Sequence, residues 1–219
     1  NLVKTVNLEG LRVVGDPHEF ATRYDREGID EILYLDIVAS LYGRNSLLGL
    51  VEKTTDQVFC PVTVGGGIRS TEDARLLLQA GADKICVNTE ATKRPWLIKE
   101  LAEKFVSQCI VLQLDAKLKD ESWEAWRDGG REPTGLDAVD WAGQAVDLGA
   151  GEILVTAVDR EGTRRGFDLE LLRAVSRVVG VPVIASGGLG GTNHAIEAFA
   201  AGADAVAVAR AFHYGAMKP

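Results

Sequence analysis

The sequence contains Cys60-Pro61-Val62-Thr63-Val64-Gly65-Gly66-Gly67, and 121 residues later it contains Val181-Pro182-Val183-Ile184-Ala185-Ser186-Gly187-Gly188. The match continues without a gap to Ala80-Gly81-Ala82-Asp83 and Ala201-Gly202-Ala203-Asp204. A constant offset over this distance indicates that the fold contains two copies of one supersecondary unit. We therefore expect a single domain over residues 1–219, built from half-barrels of about 1–108 and 109–219.

Short apolar runs alternate along the chain with longer segments of helical pattern. Runs that are apolar at consecutive positions are typical of parallel strands buried on both faces. The predicted strands are Ile32–Asp36, Val62–Val64, Ile85–Val87, Ile110–Asp115, Ile153–Thr156, Val183–Ala185 and Ala205–Val208. The predicted helices are Pro17–Glu27, Ser46–Thr55, Thr71–Ala80, Trp96–Phe105, Asp137–Leu148, Leu169–Val178 and Thr192–Ala201, with N-caps at Thr71 and Thr192.

Regular alternation of strands and helices favours a parallel sheet with right-handed crossovers. An open doubly wound sheet would carry one glycine fingerprint near its N-terminus, whereas two glycine runs favour two (βα)4 halves. The predicted fold class is therefore α/β, a (βα)8 TIM barrel. The repeat places the counterparts of Ile110–Asp115 and Trp96–Phe105 outside residues 1–219, so we expect this sequence to lack strand 1 and the last helix.

The composition argues against several classes of function. The net charge is −8 without a basic block, so binding to nucleic acid or to an anionic membrane has no electrostatic support. Cys60, Cys86 and Cys109 lack the spacing of metal ligands, and we expect reduced thiols in a cytoplasmic protein. No HExxH, CxxC or His–carboxylate cluster is present, so we expect no metal and no cofactor. No apolar run reaches the ~18 residues of a membrane span, and no signal peptide is visible.

Active sites of such barrels lie at the C-terminal ends of the strands, and glycine-rich turns there direct free N–H groups at anions. Two related glycine turns predict two phosphate-binding cups and a substrate with a phosphate at each end; tight turns without a ligand are the alternative. The first cup contains Gly66, Gly67, Asn88 and Thr89. The second cup contains Gly187, Gly188, Ala209 and Arg210, helped by Gly162. Further candidate substrate contacts are Thr156, Glu161 and Ser186.

Carboxylates at the strand ends are candidates for proton transfer. Asp115 ends a predicted strand and could act as a general acid or base; an N-cap or an ion pair with Lys117 is the alternative. The repeat predicts a partner carboxylate on strand 1, across the barrel mouth. Asp36 is a further candidate, either for catalysis or as a structural partner of nearby hydroxyl groups.

Charges also occur at the opposite end of the barrel, where buried strands begin. Glu31 and Glu152 are related by the repeat, and Lys84 lies between them along the chain. Either these side chains face solvent, or they form a polar plug at the narrow end. A separate polar segment, Lys117 to Thr134, is predicted to form a hairpin above the end of strand 5.

Four runs together resemble one known family. They are Thr63-Val64-Gly65-Gly66-Gly67-Ile68-Arg69-Ser70, Gly129-Gly130-Arg131-Glu132-Pro133-Thr134-Gly135, Asp159-Arg160-Glu161-Gly162-Thr163 and Phe212-His213-Tyr214-Gly215. Over essentially all 219 residues, the chain resembles the cyclase subunit of imidazole glycerol phosphate synthase. The sister isomerase of histidine biosynthesis shares the glycine turns but lacks the insert that begins at Gly129.

The resemblance implies a lyase that forms a heterodimer with a glutaminase (glutamine amidotransferase) subunit. Ammonia released there would pass through the barrel and attack a bisphosphorylated ribulosyl aminoimidazole carboxamide ribonucleotide. The products would be imidazole glycerol phosphate and aminoimidazole carboxamide ribonucleotide.

The resemblance also implies roles for single residues. Asp115 matches one of two catalytic aspartates, and Lys4 matches a lysine on the loop that covers the substrate. Three of the four charges of the ammonia gate match Glu31, Lys84 and Glu152. The other aspartate and the gate arginine would lie before Asn1, so we expect residues 1–219 alone to be impaired in cyclisation and in barrel closure.

The sequence departs from the family pattern at several places. Glu161 stands where Asp is common, and Arg210 stands where a small hydroxyl residue is usual. The runs Leu2-Val3-Lys4-Thr5-Val6 and Val38-Ala39-Ser40-Leu41-Tyr42-Gly43-Arg44 favour a cyclase-like branch that delivers ammonia to nucleotide-sugar amidation in polysaccharide biosynthesis. That branch and a non-catalytic partner-binding barrel are the alternatives to histidine biosynthesis.

Overall fold

Seven parallel strands form the main sheet of the computed structural model, which describes residues 1–6, 8–37, 39 and 47–219. Their spatial order follows the chain: β3 (Ile32–Leu35), β4 (Val62–Gly65), β5 (Lys84–Val87), β6 (Ile110–Lys119), β9 (Glu152–Ala157), β10 (Val183–Ser186) and β11 (Ala205–Ala207). In the described part of the chain, no ladder joins β3 to β11. The prediction of a parallel α/β barrel fold is confirmed, and six of the seven strands lie within one residue of their predicted ends.

Helices follow the strands and cover the outer face of the sheet. They are α1 (Pro17–Glu27), α2 (Leu48–Thr55), α3 (Thr71–Gln79), α4 (Thr89–Lys93), α5 (Trp96–Phe105), α6 (Ala138–Asp147), α7 (Leu169–Val178), α8 (Thr192–Ala200) and α9 (Arg210–His213). None of these described helices is long and apolar enough to cross a lipid bilayer. Ser46, the predicted start of α2, lies outside the described residues, as does the run 38–44 apart from Ala39.

The predicted N-caps are wrong by one residue. Ser70 caps α3, because its backbone is extended and its hydroxyl accepts a hydrogen bond from Asp73 N at 3.1 Å. Thr71 is therefore the first residue inside the helix. Gly191 precedes α8 without a side-chain cap, and Thr192 again lies inside the helix.

The sequence repeat is reproduced in individual contacts. Val62 N donates to Asp83 Oδ2 at 2.8 Å, and 121 residues later Val183 N donates to Asp204 Oδ2 at 2.8 Å. Each aspartate lies in the turn before one strand, and its hydrogen bond fixes the first residue of the strand that comes earlier in the chain. The two halves are joined within one sheet, since β5 pairs with β6 across the predicted boundary.

Side chains of the strands alternate between two apolar layers. Leu112 and Leu114 belong to the large cluster between the sheet and the helices. Val111 belongs to a separate small cluster with Cys86 and Leu154, inside the curved sheet. Because successive strand residues point to opposite faces, the odd-numbered residues of β6 face the interior.

Two antiparallel hairpins extend this framework. The predicted insert is confirmed: β6 continues to Lys119 and pairs with β7 (Ser122–Arg127), which pairs with β8 (Glu132–Asp137). The second hairpin, β1 (Leu2–Val6) with β2 (Glu9–Gly15), was not predicted from the sequence. Lys4 therefore lies on a strand, although the resemblance implied a loop.

Two leucines of β6 test the division between buried and exposed positions. Leu112 is fully buried, whereas Leu118 on the hairpin extension is 56% exposed. We expect Leu112→Ala to lower the free energy of unfolding by about 2–5 kcal/mol, because it leaves a cavity in the layer under the helices. Leu118→Ala should cost less than about 0.5 kcal/mol. Urea unfolding of both variants measures this, and equal losses would contradict the assigned layers.

Candidate active site

Asp115 lies at the mouth of the barrel and is completely buried. It is in register with Thr156 on β9, which in turn is in register with Ser186 on β10. The three polar residues thus form a row across the C-terminal ends of neighbouring strands. This is the end at which the sequence predicted the catalytic and substrate-binding groups.

Two neutral amides hold the carboxylate of Asp115. Asn88 Nδ2 donates to Oδ2 at 2.9 Å, and Gln113 Nε2 donates to Oδ1 at 3.0 Å and to Oδ2 at 3.2 Å. Burial raises the pKa of Asp115 to about 6, although both amides and the Lys117 charge act to lower it. The group is therefore mostly ionised at neutral pH, yet it titrates close enough to accept and release a proton.

Gln113 is a site residue that the sequence analysis missed. The predicted strand Ile110–Asp115 contains it as the only polar residue between Ile110 and Leu114. Residues two apart on a strand share a face, so a side chain at position 113 reaches the one at 115. A polar residue two positions before a candidate carboxylate was the available signal.

Among the described contacts, no ion pair joins Asp115 to Lys117. Lys117 Nζ instead lies 3.7 Å from the centre of the Trp126 ring. Trp126 is opposite Asp115 in the β6–β7 ladder, and its carbonyl oxygen accepts from Asn88 Nδ2 at 3.3 Å. The hairpin therefore forms a wall beside the carboxylate.

The first predicted cup is built on a left-handed turn. Gly66 and Gly67 have φ values of 100° and 74°. A Cβ atom on Gly66 would collide with the backbone of Asp36, so only glycine fits there. The prediction that this turn leads directly into a helix is wrong, because α3 begins only at Thr71. Asn88 and Thr89, in contrast, lie at the start of α4.

The second cup repeats this construction. Gly187 and Gly188 have φ values of 87° and 111°. A Cβ atom on Gly187 would lie 2.7 Å from the carbonyl oxygen of Ala157, which is the repeat counterpart of Asp36. Here Ala209 precedes α9 and Arg210 begins it, with the guanidinium carbon 5.5 Å from the Tyr214 ring centre.

The β1–β2 hairpin contacts the turn after β9. Lys4 is buried and forms an ion pair with Glu161. Gly162 lies so close to the hairpin that a Cβ atom on it would be 3.0 Å from Thr5 O and from Val6 Cα. The structure therefore brings Lys4, Glu161 and Gly162 together.

The predicted charges at the other end of the barrel are in direct contact. Lys84 Nζ lies 2.8 Å from Glu31 Oε2 and 2.7 Å from Glu152 Oε1. Burial lowers the pKa of Lys84, but the hydrogen bonds to Glu152 and Glu31 outweigh it, so the pKa is raised overall. Thr63 Oγ1 donates to Glu31. Among the described residues, Glu152 Oε2 is buried without a hydrogen-bond partner.

Comparison with known proteins gives one consistent result. Residues 1–218 match the family described as "Histidine biosynthesis protein". The imidazole glycerol phosphate synthase subunit HisF of Legionella pneumophila is 58% identical over 191 residues, covering 87% of this chain and 90% of that protein. The protein of the same name from Mycobacteroides abscessus is 51% identical over 220 residues, covering 97% of this chain and 86% of that protein.

Both relatives are named for the synthase of histidine biosynthesis, which confirms that interpretation over the polysaccharide branch. The chain belongs to the histidine biosynthesis protein family, as a member of its imidazole glycerol phosphate synthase HisF subunits.

Proposed function

We propose that this chain catalyses the cyclase reaction of imidazole glycerol phosphate synthase, with Asp115 as an acid–base group. The observation that carries this proposal is a buried carboxylate held by two amides between two glycine turns. Its pKa of about 6 lies near neutral pH, where proton transfer in both directions is efficient. The substrate would be a bisphosphorylated ribulosyl aminoimidazole carboxamide ribonucleotide, and ammonia would be the nucleophile.

The two cups account for a substrate with two phosphates. Each glycine turn leaves backbone N–H groups near the strand ends, and small residues there allow an anion to approach the backbone. Asn88 and Thr89 would complete the first cup, and Ala209 and Arg210 the second. The reacting part of the substrate would then lie between them, above the row formed by Asp115, Thr156 and Ser186.

The opposite end of the barrel would receive ammonia from a glutaminase subunit. Between this end and the mouth, the interior carries the apolar side chains of Cys86, Val111 and Leu154. Neutral ammonia crosses such a lining at lower cost than ammonium does, because a charge loses its hydration there. Lys84 with its two carboxylates would then control entry. The free thiols of the three cysteines agree with a cytoplasmic enzyme, which we also propose.

Asp115→Asn tests the catalytic role directly. With purified protein, the bisphosphate substrate and an ammonium salt at high pH, we expect turnover to fall about 10²–10⁴-fold. Substrate binding should persist, because the glycine cups are unchanged. Asp56→Asn, at an exposed position after α2, is the control and should retain full activity. Tight binding without turnover by the intact, full-length protein would instead favour a non-catalytic barrel.

Gln113→Leu tests the protonation state that the reaction uses. The variant loses two hydrogen bonds that lower the pKa of Asp115, so this pKa should rise above about 6. If Asp115 acts as a base, kcat/KM should then fall at pH 6 and recover at pH 8.5, because only the ionised carboxylate is active. Gln79→Leu, exposed on α3, should leave the pH profile unchanged. A profile that Gln113→Leu does not move would contradict this role.

Lys84→Met tests the entrance for ammonia. We expect glutamine-dependent turnover of the complex with the glutaminase to fall severalfold, because Glu31 and Glu152 lose their shared cation. Turnover with added ammonium salt should change less, since ammonia can then reach the mouth from solution. Lys99→Met, on the exposed face of α5, provides the control. Equal losses with both nitrogen sources would exclude a gate.

A further inference from the structure

The carboxylate of Glu161 is the centre of the contact between the β1–β2 hairpin and the barrel. Besides the ion pair with Lys4, it accepts a hydrogen bond from Thr5 Oγ1 at 3.4 Å and a long one from Leu8 N at 3.5 Å. Lys4 is only 6% exposed and Glu161 only 13% exposed. Three donors from one hairpin thus converge on a single side chain that lies 153 or more positions away in sequence.

Both backbone atoms and side-chain atoms of the hairpin pack closely against turns at the barrel mouth. A Cβ atom on Gly162 would be 3.0 Å from Thr5 O, so the hairpin backbone lies directly on the turn after β9. On the other side, a Cβ atom on Gly130 would be 3.0 Å from Leu8 Cδ1. The tip of the hairpin therefore lies against both the β7–β8 turn and the turn of Glu161.

The three donors that meet Glu161 are of the kinds that bind phosphate. An ammonium group, a hydroxyl group and a backbone N–H satisfy phosphate oxygens as readily as carboxylate oxygens. A phosphate offers more charge and more acceptor oxygens than one carboxylate, so it can compete for the same donors. In the structure, the Glu161 carboxylate occupies this donor set.

We propose that Glu161 is a positioning residue that holds the hairpin on the barrel mouth in the empty enzyme and yields Lys4 to a substrate phosphate. The exchange of carboxylate for phosphate rests on the proposed function, because it requires a phosphorylated substrate. We call the contacts of Glu161 with Lys4, Thr5 and Leu8 the clasp, and the proposal of a clasp rests only on these contacts. The two parts are tested separately.

The length of the side chain matters to the clasp. Asp at position 161 would retain the charge but withdraw the carboxylate by one methylene group from Lys4, Thr5 and Leu8. Since hydrogen bonds weaken steeply with distance, Glu161→Asp should loosen the hairpin almost as much as Glu161→Gln. If both variants loosen the hairpin, the clasp depends on the length of the side chain and not only on its negative charge.

Amide hydrogen exchange of residues 2–15 in the substrate-free protein tests the clasp. We expect exchange to become about tenfold faster in Glu161→Gln and Glu161→Asp, the scale of losing one charge-assisted hydrogen bond. Exchange in β9 and β10 should stay unchanged, which shows that the barrel remains folded. Glu170→Gln, exposed on α7, is the matched control and should behave like the unmodified protein. Unchanged hairpin exchange in both Glu161 variants would overturn the proposal.

Titration with inorganic phosphate, followed by calorimetry, tests the exchange. Glu161→Gln should bind phosphate severalfold more tightly than the unmodified protein, because the competing carboxylate is gone. This gain should disappear in Glu161→Gln combined with Lys4→Met. Equal or weaker phosphate binding by Glu161→Gln would overturn the exchange even if its hairpin exchanges faster. Because neither measurement uses turnover, failure of the cyclase assignment would be recognised independently, from the Asp115 assay.

Discussion

The alternation of side chains along parallel strands is the constraint on which the other features depend. Each strand contributes one row to the interior of the barrel, and the rows run from its floor to its mouth. On β5 the row is Lys84, Cys86 and then Asn88 just after the strand: a cation, a thiol and an amide. At ~3.3 Å per residue, its two polar ends are about 13 Å apart. A shift of one residue would turn Asp115 towards the helices and remove the site entirely.

The interior side chains lead to opposite electrostatic results at the two ends of the barrel. At the mouth, burial outweighs the two amides that hold Asp115, and the pKa of this acid is raised. At the floor, two carboxylates outweigh the burial of Lys84, and its pKa is raised as well, which favours the charged form. Neutral dipoles only partly replace the hydration that an anion loses, whereas opposite charges can replace it more fully. The protein thus has a carboxyl group with a pKa near neutrality at the mouth and a lysine held in its charged form at the floor.

Much of this arrangement was predictable, because the relevant signals lie in short stretches of sequence. The repeat located the strands, and the strands located Asp115, Lys84 and the glycine turns. Contacts that depend on side-chain reach were not predictable in this way. Gln113 was hidden inside an apolar strand, and the N-cap of α3 was misplaced because Ser70 and Thr71 have similar capping propensity. The pairing of Lys4 with Glu161 joins residues 157 positions apart, and no local pattern encodes such a contact.

The two cups of the proposed function share one backbone construction but differ in their side chains. In both halves the glycine turn is braced by backbone at equivalent positions, Asp36 in one and Ala157 in the other. Because this contact involves only backbone atoms, it does not depend on which side chain is present. The glycine turn therefore has the same construction in both halves. The side chains differ, with Asn88 and Thr89 in one half and Ala209 and Arg210 in the other, and the hairpin with Lys4 contacts the second half through Glu161. In the proposed function, the two cups supply affinity for two phosphates, and the contact of the hairpin with Glu161 makes the two ends of the mouth different. Orientation of the substrate relative to Asp115 can therefore be set without disturbing the strands that position the carboxylate.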